Sequence, residues 1–301
     1  MKNKPLVQQA LDKVPGFEQS YTKFCNTLLS EQKTPATIAN YGRYFSSICL
    51  YYNCVAELLT DEQIESFLAD KQRQGVSRSL FKHLVCGLRS YYRSLQLEER
   101  VVRMPKIKKS SSLPVVLSCE ECKRLFRAAS DNLKNCVLLS LIYSAGLRVR
   151  ELINLRIEDI DSDRMLIHIR QTKYNKDRYV PLSATVLVGL RKYYRAYAPQ
   201  QYLFNGRTPG RPIHSASIQG IMRDAVKKAG ILKRATPHTL RHSYATHLLE
   251  MGVNIRQLMS LLGHSDIQST MVYLHVTHWN QSKAFSPFDH LYGRSHETDK
   301  L

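Results

Sequence analysis

The chain has 301 residues, 43% of them hydrophobic, and its 44 Lys and Arg against 25 Asp and Glu give a formal charge of +19. That length suits two ordinary domains, each able to bury its own core, and the cation excess makes an anionic polymer the natural partner. A membrane partner is disfavoured: the longest nearly apolar run, Cys136 to Leu147, is too short to span a bilayer and is interrupted by Ser140 and Ser144.

The start, Met1 to Lys13, is polar and mixed in charge, with no apolar core of the kind a secretory signal needs, so a cytoplasmic protein is expected. Phe17, Tyr21, Phe24 and Leu28 recur at helical spacing, as do Ile38, Tyr41, Phe45 and Ile48 and then Leu84, Leu88, Tyr91 and Leu95. A shorter helix starts at Thr60, with Gln63 completing a capping box, and carries Ile64, Phe67 and Leu68. Residues 1–103 therefore read as a small all-helical domain. Residues 104–114 combine prolines, serines and cations, the composition of an exposed basic linker. The second domain, 115–290, is followed by a polar tail, 291–301. Residues 1–103 hold 14 basic and 10 acidic side chains, so most of the positive field belongs to the remainder.

Helices are expected from Ser118 to Ala129, with a Ser118–Glu121 capping box, and from Leu133 to Tyr143. The period then changes. Met165 to Ile169 and Arg178 to Val180 read as strands flanking a polar turn at Tyr174 and Asn175, a small β-hairpin. Helices resume at Ile218 to Ala229, Thr239 to Met251 and Ile255 to Leu262, and one more is capped by Ser265 with Gln268 behind it. The fold class expected is mainly α with a small β-hairpin sheet in the second domain. Seven scattered cysteines form no disulfide framework, and the Cys119–Cys122 pair has neither a second pair for zinc nor a βαβ context for redox work.

Three groups of residues in the second domain carry chemistry. Arg148 and Glu151 are three apart on a presumed helix; alone, such a pair is usually a solvated surface ion pair. His238 and Arg241 project to one side of a helix opened by Pro237, where an imidazole and a guanidinium can grip a phosphate. His238, His242 and His247 do not have the HExxH spacing of a zinc site. His264 sits at a tight turn before a capped helix, with Tyr273 about two turns into that helix. A phenol is a poor nucleophile at neutral pH and needs a site that stabilises negative charge.

The ordered set GLRxxEL, HTLRHSxATHLL and LLGHS, with a Tyr nine residues after its last His, resembles the catalytic domain of the tyrosine recombinases, or phage-type integrases. The resemblance is close over about residues 115–290 and looser in the first domain, where Thr37 to Tyr41 open a helix like that of the family's core-binding domain. It implies a two-domain DNA clamp in which Tyr273 is the nucleophile and Arg148, His238, Arg241 and His264 surround the scissile phosphate. Glu151 would support the first arginine. The family's hairpin lysine corresponds to Lys173, with Lys176 as the alternative, although both glycines that usually flank it are replaced, by Thr172 and Tyr174. No cofactor or metal is implied. The partners implied are double-stranded DNA and a homo-tetramer, or a paired recombinase, on two DNA sites. Trp279, Phe285, Pro287 and Phe288 would dock on a neighbouring subunit or fold back on their own domain. Xer-type and mobile-element roles both fit, and a catalytically silent DNA-binding relative is the alternative, against which the complete residue set argues.

Overall fold

A computed structural model describes residues 4–97, 102, 113–170, 177–208, 210–264 and 266–274. The chain divides into two compact units, residues 1–111 and 112–301. Most of the expected linker, the hairpin turn with Lys173 and Lys176, the cap Ser265 and the apolar anchors after Tyr273 lie outside the described residues.

In the first unit the described residues form five α-helices, α1 (Leu6–Lys13), α2 (Phe17–Ser30), α3 (Pro35–Tyr52), α4 (Asp61–Arg73) and α5 (Arg78–Ser94). The Thr60–Gln63 capping box is formed in both directions, at 3.2 and 2.8 Å. The core is aromatic: Phe24 stacks on Phe45 with centroids 4.3 Å apart, and the edge of Tyr91 closes on Phe45 at 5.1 Å. Burying each such ring contributes about 1.5–3 kcal/mol. Helix α1 was not expected. It seats only Ala10 fully and Val7 partly against this core, so its polar composition conceals it.

The second unit follows the order α6 (Cys119–Ala129), α7 (Leu133–Ser144), α8 (Val149–Asn154), β1 (Ile160–Asp161), β2 (Leu166–Ile169), β3 (Arg178–Pro181), α9 (Ala184–Tyr197), α10 (Ser215–Lys228), α11 (Pro237–Glu250), α12 (Ile255–Leu262) and α13 (Gln268–Met271). Helix α7 buries Val137, Leu138, Leu139, Leu141 and Ile142 and packs against α6, α9 and α11. A helix apolar on every side is a core helix. Ser118 and Glu121 cap α6 reciprocally, as expected.

The mainly helical class with a small sheet is what the sequence predicts, but the sheet has three antiparallel strands in the order β1-β2-β3. Strand β1, two residues long, is too short to leave a period. The register pairs Ile167 with Val180 and Ile169 with Arg178. Side chains alternate across a sheet, so Arg178 shares the inner face with buried Val180. Helix α9 was also unforeseen, although Val186, Leu187, Leu190 and Tyr193 are buried at helical spacing.

Helices α11 and α12 and the segment after α13 enclose a separate small core of Tyr244, Ala245, Leu249, Leu258, Leu262 and Tyr273. Two expectations need correction here. Arg148 is the residue preceding α8 rather than part of it. Helix α13 ends at Met271, so Tyr273 does not lie two turns into a helix; it sits in a succession of tight turns whose amides bond three residues back, to Thr270 and Met271.

Candidate active site

The site is organised around one carboxylate. Glu151 stands at the third position of α8, and its Oε2 accepts from the backbone N–H of Arg148 at 2.8 Å while its Oε1 accepts from the Arg148 guanidinium at 2.8 Å. Arg178, delivered by β3, donates to both oxygens at 2.9 Å, a bidentate fork. Arg241 on α11 brings a third guanidinium to 3.7 Å. The Glu151 side chain is only 6% exposed, so this is not the solvated pair that its spacing suggests. Burial acts to raise its pKa, but the hydrogen bonds and charge of Arg178, the Arg148 amide and the charge of Arg241 prevail and hold it at about 2.

The end of α12 supplies a second set of acceptors. The last carbonyls of a helix have no intrahelical partner and carry the negative end of its dipole. Here Leu261 O accepts from Arg178 Nε at 2.8 Å and Leu262 O accepts from Arg241 at 2.6 Å. Gly263 closes the helix in the left-handed region, φ 61°. Arg241 also donates to Gly146 O at 2.5 Å, where φ is 59° and an added Cβ would lie 2.5 Å from the Tyr244 ring. Only glycine fits that turn. Burial, then the charge of Arg148, lowers Arg241 to about 10, which leaves it cationic at neutral pH.

The histidines divide by position. His264 Nε2 lies 3.1 Å from Arg241, and because a guanidinium only donates, that nitrogen accepts. The proton therefore resides on Nδ1, which donates to the buried Thr270 hydroxyl at 2.8 Å. Burial and the neighbouring arginines push His264 down to about 4. His242 places Nδ1 3.1 Å from the Tyr273 hydroxyl, and burial, then the charges of His238 and Arg241, push it down to about 4 as well. His238, on the first turn of α11, is exposed.

Tyr273 is 3% exposed. Burial raises its pKa, against the charges of Arg241 and Arg148. Arg148 and His238 both line a cleft of about 1200 Å³ whose other charged residues are Arg150, Arg223, Lys233 and Arg234, with no carboxylate in its lining. Such a wall is suited to a polyanion.

The structure thus joins Arg148, Glu151, Arg241 and His264 in one network, sets Tyr273 against His242 on the same helix as Arg241, and sets His238 at the adjoining cleft; Lys173 and Lys176 lie outside the described residues. Sequence reasoning missed Arg178, His242 and Thr270. Arg178 lies in a basic run where nothing distinguishes it, and His242 was weighed only as a metal ligand. Among the described residues no group of three or more His, Cys, Asp or Glu is placed to hold a metal ion. Likewise, no described helix is long and apolar enough to cross a membrane.

Residues 115–279 match the phage integrase family. A tyrosine recombinase of Pseudothermotoga lettingae is 38% identical over 231 residues, covering 74% of this chain and 78% of the relative. The tyrosine recombinase XerA of Pyrococcus horikoshii is 35% identical over 260 residues, 85% of this chain and 88% of the relative. Among solved structures, a XerA recombinase superposes with a TM-score of 0.54 at 30% identity, covering 89% of this chain and 99% of its own. A lambda integrase dimer bound to a core site shares the fold, with a TM-score of 0.67 at 19% identity over 85% of this chain and 94% of its own.

Proposed function

Because the chain belongs to the phage integrase family of tyrosine recombinases, we propose that it is a site-specific recombinase that cuts and rejoins duplex DNA through a covalent bond between Tyr273 and a 3′ phosphate. The observation that carries this reading is the gathering of Arg148, Arg178 and Arg241 on the single buried carboxylate of Glu151, beside a buried tyrosine and a cleft lined by cations.

Attack of a phenol on a phosphodiester passes through a five-coordinate state with extra negative charge on the non-bridging oxygens. Preorganised cations stabilise that state with no reorganisation at the moment of reaction. Arg148 and Arg241 supply them, with His238 at the cleft and His264 held ready by Thr270. Arg178 spends its fork on Glu151 and Leu261 and acts as a positioning residue. In the free state the His264 Nε2 lone pair serves Arg241, so a phosphate that captures Arg241 releases that nitrogen. Lys173, or Lys176, is the proposed general acid for the leaving 5′ oxygen. The tyrosyl ester conserves the energy of the broken linkage, so rejoining requires no ATP, and the arginines do the work that a metal clamp does elsewhere.

In the same reading residues 1–103 form a second DNA-binding domain, 104–114 a basic linker, and the active species is a tetramer on two paired sites. Affinity arises largely from phosphate neutralisation and falls steeply with salt. The test is to trap the intermediate: a nicked duplex from the DNA flanking the gene is incubated with wild-type protein or Tyr273→Phe, denatured and examined for protein-linked DNA. Linkage with wild type and none with the variant is the expected result. Linkage that survives in Tyr273→Phe overturns the assignment of the nucleophile, and its absence from a DNA-binding wild type across a panel of duplexes favours a silent binder. Strand exchange between two copies of a flanking site, against exchange at a chromosomal dimer-resolution site, separates a mobile-element role from an Xer-type one.

A further inference from the structure

Activation of the phenol is the step left without a partner when Arg148, Arg241, His238 and His264 are assigned to the phosphate and a lysine to the leaving oxygen. Within hydrogen-bond distance of the Tyr273 hydroxyl stands a group of the right chemistry, His242 Nδ1 at 3.1 Å. The two rings are 5.6 Å apart at an interplanar angle of 50°, edge-on enough for a nitrogen lone pair to meet the hydroxyl. His242 follows Arg241 directly on α11, so the helix that aims a guanidinium at the site also carries this imidazole.

We infer that His242 is a further catalytic residue: its Nδ1 accepts the hydrogen bond of the Tyr273 hydroxyl and takes the proton as the phenol attacks. This rests on Tyr273 being the nucleophile. The direction of the hydrogen bond follows from the role, since a base must present a lone pair. Burial, with the charges of His238 and Arg241, keeps the imidazole neutral at rest, so one ring nitrogen is free to accept from the hydroxyl. Nδ1 is then the acceptor and the ring proton is on Nε2. When a DNA phosphate arrives, its negative charge offsets Arg241 and favours the imidazolium.

The Oη–P bond forms, the P–O5′ bond breaks, the phenolic proton passes to His242 Nδ1, and the 5′ oxygen takes a proton from the general acid. In rejoining, the 5′ hydroxyl attacks and gives its proton back to the general acid, the P–Oη bond breaks, and His242 returns its proton to the phenolate.

Basicity sets the test, because an asparagine amide can overlay Nδ1 and accept the hydrogen bond of the hydroxyl but cannot take its proton. Single-turnover formation of the covalent complex is measured with saturating full-length protein for wild type, H242A, H242N and H242Q. A Tyr273→Phe control reports separately on the nucleophile. H242A, H242N and H242Q are each expected to be slower by about 10²-fold, the scale of general base loss, with DNA affinity unchanged. The second arm replaces the scissile 5′ oxygen with sulfur, a leaving group that needs no proton. The H242A defect is expected to persist on that substrate, which a role in protonating the leaving group would not allow. Wild-type cleavage by H242A overturns the inference, as does a defect that vanishes on the sulfur substrate or near-wild-type cleavage by H242N, which would leave His242 a positioning residue. Covalent linkage in Tyr273→Phe would instead overturn the reading beneath it.

Discussion

Each unit takes a glutamate out of full solvent, and the two carboxylates are used in opposite ways. Glu57, between α3 and α4, is half-buried and accepts from neutral hydroxyls: Ser20 at 2.8 Å and, through a short bond, Tyr91. Ser20 and Tyr91 also bond each other at 3.0 Å, so the set ties α2 to α5. Glu151 in the second unit instead gathers three guanidiniums that repel one another. A hydroxyl cluster locks helices together. A carboxylate that holds several cations in place keeps positive charge concentrated at one point, which is a device for meeting a second anion. Three guanidiniums gathered on one carboxylate, rather than burial alone, mark the candidate site.

The largest effect that would break this comparison comes from removing each carboxylate. Glu151→Ala leaves buried guanidiniums uncompensated and should cost about 3–5 kcal/mol by denaturant unfolding, with covalent-complex formation lost. Glu57→Gln keeps an acceptor for the two hydroxyls and should cost about 1 kcal/mol, with cleavage intact. Equal costs would end the distinction. Next in size, Arg241→Ala should lower the single-turnover cleavage rate by about 10²- to 10³-fold while still binding DNA, and wild-type cutting would remove it from the site. Gly146→Ala meets both a positive φ and the Tyr244 ring. It should cost about 1–3 kcal/mol and slow cleavage by displacing the carbonyl that holds Arg241.

The smallest effect is a pH response that sharpens the contrast between the units. His242 and His264, near 4 in the folded state, lie below the ordinary imidazole value of about 6.5. On acidification the unfolded chain takes up protons first, so the stability these neutral rings contribute above about 6.5 is lost as pH falls towards 4. Glu151, held at about 2, keeps its contribution until pH drops below about 4.3. Hydrogen exchange on the full chain at pH 7 and pH 5 should therefore show lost protection in α11 and α12. Helices α3 and α5 should change little, since the first unit has a single histidine, His83. Uniform loss across both units would contradict the assignment.

Much of the second unit's site was legible because its residues stand in short motifs. Arg148 and Glu151 are three apart, His238 and Arg241 three apart, and Tyr273 nine residues after His264, with Gly263 marking the turn. The reciprocal caps at Thr60 and Ser118 were legible for the same reason, since each is satisfied within four residues. Helix α1 was not, because only one of its residues is fully buried. Strand β1 is too short for a period. The fork of Arg178 is set by strand register and by the C-terminal carbonyls of α12, 83 residues further on for its Nε bond.

Composition and neighbours within a few residues were enough for the helical class, the caps, the cation excess and the short motifs that hold Arg148, Glu151, His238, Arg241, His264 and Tyr273. What each group faces depends on how the helices pack. That packing turned an ordinary Arg–Glu spacing into a buried hub, assigned the His264 tautomer through Arg241, and set His242 against the Tyr273 hydroxyl 31 residues away. Those pairings depend on burial and on donors and acceptors brought in by separate helices, and no local pattern in the chain encodes them.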